Sequence, residues 1–70
     1  MIWYVDPKAG SDNSNGQSLE KAFKTLSHAI NQAKAGDEIL LVPGAYDQDL
    51  PKLVSAARTA KVSVGVVGGH

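Results

Sequence analysis

No cysteine is present in the 70-residue chain, which removes disulfide staples and every thiolate metal site, the two usual supports of a module this small. Neither sign of charge is in excess. Seven basic and seven acidic residues balance to zero and are scattered along the chain, leaving no electrostatic footprint for nucleic acid or an anionic membrane. Long apolar runs are missing as well, so no stretch approaches bilayer-spanning length. The opening, Met1-Ile2-Trp3-Tyr4-Val5-Asp6, lacks the basic region and extended apolar segment of a signal peptide, and the compartment stays open. A chain of this length makes one small module, residues 1–70, near the lower limit of what a single core stabilises unaided. The remaining stability must come from a partner or from more chain.

What is present is a series of short apolar runs. Ile2 to Val5 is β-branched and aromatic and stops at Asp6-Pro7, which predicts a short strand. Residues 8–17 are a solvated loop rich in Gly, Ser, Asp and Asn. Its spacing fails the calcium-loop pattern, because only Asp12 is acidic within it and no acidic residue closes it at the twelfth position. From Leu19 to Ala33 the apolar positions Leu19, Ala22, Phe23, Leu26, Ala29, Ile30 and Ala33 follow the spacing of one helix face. Ser18 or Thr25 supplies the N-cap, the later one if the chain around Phe23 arrives as an extended arm, and Gly36 fits a left-handed C-cap. Ile39 to Val42 reads as a strand buried on both faces, closed by a Pro43-Gly44 turn in which glycine takes a positive φ. Residues 49–60 show helical spacing, with Asp49 as N-cap and Pro51 in the first turn. Val62 to Val67 forms a third strand, weakened by Gly65 and ended by Gly68-Gly69-His70. Strand, helix and strand so close in sequence imply a right-handed crossover between parallel strands.

The stretch from Tyr4 to Tyr46 resembles the opening of right-handed parallel β-helix proteins of the pectate-lyase-like superfamily. The residues that carry the likeness are Tyr4-Val5, the Gly10-Ser11-Asp12 loop with Asn15-Gly16, Ala22-Phe23-Lys24-Thr25-Leu26, Ala29-Ile30, Ala33, Gly36-Asp37, and Ile39 to Val42 followed by Pro43-Gly44-Ala45-Tyr46. The resemblance implies an α/β fold class: short strand, amphipathic capping helix, parallel strand, short helix and third strand, together an incomplete right-handed parallel β-helix. Residues 1–46 are then the N-terminal cap and first strand, and residues 47–70 the connection and second strand. Phe23, Leu26 and Ile30 plug the first coil, with Ile39 and Leu41 in its first regular strand. Ala22 stands where such proteins often carry proline, so the helix is expected to begin a turn earlier. A full β-helix needs many more coils than this sequence contains. The resemblance also implies a full-length protein that binds or cleaves polysaccharide, such as a lyase, a hydrolase or a phage tailspike, and an extracellular or virion-surface location.

Within the segment the chemistry is sparse. His28 falls on the polar side of the helix and reads as a surface histidine, and His70 lies at the end, so a two-histidine metal site finds no support. Asp37-Glu38 enter a strand side by side and therefore point to opposite faces. Asp47 and Asp49 fit turn and N-cap roles. No serine stands in a nucleophile-elbow context, and Gly65 with Gly68-Gly69 opens no helix for a dinucleotide. Trp3 and Tyr4 alternate, so at most one ring is free to stack on a sugar. The expected catalytic, cofactor and metal residues are accordingly none.

Three readings stand at this point. The first is a capping segment of a polysaccharide-directed β-helix protein. The second is a stand-alone assembly module that oligomerises through its open strand edge at Val62, Val64 and Val66, pairing with another copy or another subunit where the first reading has further coils. The third is a small βαβαβ sheet that binds a ligand at the strand ends.

Overall fold

The computed structural model describes residues 1–44 and 50–67. Strand β1 (Ile2–Val5) is followed by a single 3-10 turn (Leu19–Lys21), helix α1 (Leu26–Gln32), strand β2 (Glu38–Leu41), helix α2 (Leu50–Thr59) and strand β3 (Ser63–Val66). The three strands are parallel and lie in the order β1-β2-β3. Tyr4 sits opposite Leu40 and Leu40 opposite Gly65, so each strand continues the register of the one before it. Both helices touch the sheet and each other, and so cover the same face. That arrangement differs from a doubly wound sheet, in which helices shield both faces. The βαβαβ order expected from sequence is present, with both crossovers on one side.

The core fills the space between the sheet and the helices. Trp3, Val5, Ile39, Leu41 and Val64 face inward from the strands and meet Leu26, Ala29 and Ile30 of α1 and Leu53 and Ala57 of α2. The alternate positions Ile2, Tyr4, Glu38, Leu40, Ser63 and Gly65 form the second sheet face by strand alternation. Tyr4 and Leu40 there are half-buried, and Ile2 is exposed.

The expected helix from Leu19 to Ala33 is two pieces. Ser18 caps the 3-10 turn and Thr25 caps α1, each through its side-chain oxygen. Between them the chain is extended because β1 claims its backbone: Phe23 donates to the Tyr4 carbonyl at 2.9 Å and its own carbonyl accepts from Asp6 at 2.8 Å. A residue bonded this way has no backbone group left for a helix. The absence of proline at Ala22 therefore brings no earlier start. Gly36 is not the C-cap, since α1 closes at Ala33. With φ +92°, it occupies the tight turn in which Asp37 donates to the Lys34 carbonyl. Gly44 does not take a positive φ. A β-carbon there would press on the Pro7 ring at 2.9 Å, so close approach is what favours glycine at this position.

Helix α2 runs as its spacing predicts, with Pro51 in the first turn; Asp49 lies outside the described residues. Its C-terminus is a Schellman closure. Val62 donates to the Ala57 carbonyl at 2.8 Å and Lys61 to that of Arg58 at 3.0 Å, and Lys61 takes the left-handed conformation, φ 65°. Val62 is thereby drawn into the core, 2% exposed.

Candidate functional site

The two edges of the sheet differ in a way that defines the candidate site. At the β1 edge, Tyr4 donates to the Gly16 carbonyl at 2.7 Å, and Phe23 bonds Tyr4 and Asp6 as described above. The arm of residues 16–23 thus satisfies both outward backbone groups of Tyr4 and the N–H of Asp6, whose carbonyl accepts from Gly10. Gly16 is required at its start: it is buried, has φ +71°, and a β-carbon on it would fall onto the Phe23 ring. Phe23 itself is 2% exposed, stacked against Trp3 at 5.8 Å and met edge-on by His28 at 4.5 Å. His28 is therefore half-buried as a packing residue and not simply solvated.

The β3 edge is open. Ser63 and Val67 donate to the carbonyls of Asp37 and Leu41 across β2, so alternation directs the backbone groups of Val64 and Val66 away from the sheet. No further strand lies there among the described residues. Beside this edge a groove of about 490 Å³ is lined by Val54, Arg58, Lys61, Val62, Ser63 and Val64. Of the residues assigned to an interface from sequence, Val64 is half-buried and Val66 is 56% exposed. Val62 is corrected to a core residue, because the Schellman closure turns it inward. Of the residues expected to fill the first coil, Phe23, Leu26, Ile39 and Leu41 are buried and Ile30 packs against them.

Two carboxylates act as structural hubs. Asp37 accepts from the Trp3 indole at 2.9 Å, the Lys34 N–H at 2.9 Å and the terminal amine of Met1 at 3.1 Å. The Trp3 indole first, and then the Lys34 N–H, hold its pKa down to about 2. Glu38 beside it is exposed and on the other sheet face. Asp12 receives the N–H groups of Lys24 and Thr25 and the Thr25 hydroxyl. Burial pushes its carboxyl up, but these donors and the His28 charge outweigh that and leave it below its ordinary value. Sequence reading assigned Asp12 only to a loop and Asp37 only to a helix exit. No local signal reveals either hub, since the partners lie 12 or more and 34 or more residues away for the bonds that matter most.

Among the described residues no group of three or more His, Cys, Asp or Glu is placed to hold a metal ion. No helix among them is long and apolar enough to cross a membrane. Asp47, Asp49, Gly68, Gly69 and His70 lie outside the described residues.

The chain is similar to known proteins. The family described as "Protein of unknown function (DUF1565)", associated with right-handed β-helix proteins, matches residues 8–53. The chain belongs to that family. It is similar to the Uncharacterized protein YwoF of Bacillus subtilis (strain 168), 43% identical over 47 residues, covering 67% of this chain and 10% of that protein. The crystal structure of the native GH136 lacto-N-biosidase from Eubacterium ramulus, a β-helix enzyme, superposes with a TM-score of 0.65 at 18% identity, over 97% of this chain and 11% of that one. At that identity the likeness concerns the fold. The chain spans about a tenth of the length of each of these relatives.

Proposed function

We propose that this chain is the N-terminal cap and first coils of a right-handed parallel β-helix, and that its role is to seal one end of the solenoid while offering the other end to the next coil. The observation that carries the reading is the asymmetry of the sheet: residues 16–23 cover the β1 edge, and Val64 and Val66 leave the β3 edge unpaired. An open strand edge invites pairing, and natural proteins cover or charge such edges. β3 carries no charged residue or proline between Lys61 and Val67. The small share of each relative that the chain covers supports the same reading. The parent protein is proposed to act on or bind polysaccharide, a reading supported by the fold's likeness to a lacto-N-biosidase.

Amide hydrogen exchange tests the edge. In the 70-residue chain, Val64 and Val66 are expected to exchange quickly and Gly65, bonded toward β2, slowly. Strong protection of Val64 and Val66 in a chain that remains monomeric at high concentration would overturn the reading.

A further inference from the structure

The groove beside β3 has an apolar floor and a cationic rim. Val54 and Val64 supply the floor above the buried Val62, and Arg58 and Lys61 stand at its border. Both basic side chains are exposed, and no acidic residue among the described ones forms an ion pair with either. Lys61 is also the one non-glycine residue of positive φ among the described residues. Glycine relieves that conformation at no steric expense, so the position bears a charge where backbone geometry alone favours none.

Resting on the capping reading, we propose that this groove receives a β-strand whose aliphatic side chain enters against Val54 and Val64, and whose flanking carboxylate meets Arg58 and Lys61. The partner is a further, acidic-flanked coil of a longer chain. A second copy of this chain fits poorly. Head-to-tail stacking is blocked because residues 16–23 already occupy the β1 edge. A two-fold pairing of β3 strands would bring one copy's groove against the other's, and none of the residues lining it is acidic.

The test uses two capped hexapeptides of alternating valine and threonine, one ending in glutamate at both termini and the other in glutamine. Each is titrated into the 70-residue chain and followed by the amide resonances and exchange of Val64 and Val66. At low salt the glutamate peptide should bind roughly fivefold more tightly, the preference shrinking at high salt as exposed charges are screened. Arg58→Glu should abolish or invert the preference, and Arg58→Gln should weaken it, with the helical circular dichroism unchanged. Equal binding of both peptides, with Val64 and Val66 protected, overturns the charge assignment and leaves the capping reading standing. Binding by neither peptide overturns the inference at the edge itself. Self-association of the chain that both peptides displace overturns the choice of a further coil as occupant.

Discussion

The indole N–H of Trp3 donates to a carboxylate oxygen of Asp37 at 2.9 Å, tying the first strand to the turn before the second across 34 residues. The Lys34 N–H shares the same oxygen, so one carboxylate closes the turn and sets the pairing of β1 with β2. Trp3 in turn stacks on Phe23, which carries the constraint into the arm of residues 16–23.

Acid should loosen this connection. With its pKa at about 2 instead of the ordinary 3.8, Asp37 binds fewer protons in the folded than in the unfolded state between those values. Its contribution is complete above pH 3.8 and is lost as the pH falls toward 2. Urea unfolding at pH 6, 4, 3 and 2 should show wild type more stable than Asp37→Asn at pH 6, with the gap closing across that window. A gap of constant size would remove the Asp37 charge from the account.

Phe23→Ala should lower stability by about 3–5 kcal/mol, the usual cost of emptying a buried aromatic site. For a module this small that is enough to unfold it. Thermal unfolding followed by circular dichroism would show the loss of the transition. An unchanged transition would mean that the arm does not depend on its ring.

The Asp12 and Thr25 pair should couple. Thr25→Ala loses the N-cap of α1 and should cost about 1 kcal/mol. Asp12→Ala leaves the Lys24 and Thr25 N–H groups without their acceptor. Because the two side chains also bond each other, a double-mutant cycle should give a non-additive interaction of at least about 0.5 kcal/mol. Additive effects would mean that Asp12 serves the backbone alone.

Lys61→Gly should stabilise the chain by roughly 0.5–1 kcal/mol, since glycine adopts the left-handed Schellman position without strain. The measurement is a denaturant midpoint shift at unchanged slope. A loss of stability would show that the Lys61 side chain holds the α2 to β3 connection.

The elements legible in the sequence are those set by local pattern. The β-branched run Ile2 to Val5, the apolar run beginning at Ile39 and the valines after Lys61 are strands within a residue of their expected bounds, because alternation and side-chain shape act over a few residues. Helix α2 was equally legible from its spacing and from Pro51. The resemblance to β-helix openings also pointed to Phe23, Leu26 and Ile39 as core residues, and all three are buried.

Residues 19–25 show what local pattern leaves undecided. Their apolar spacing suits a helix, yet β1 takes the Phe23 N–H and carbonyl, and a backbone group already bonded to a strand cannot enter a helical ladder. The same kind of distant demand makes Gly44 a close-contact glycine against Pro7 and Asp37 a hub for Trp3 and Lys34. Sequence by itself determined which residues prefer strand, helix or turn, because those preferences are short-range. Only the tertiary structure decided which backbone groups meet across the chain, and with them which edge is sealed by residues 16–23 and which is left open at Val64 and Val66.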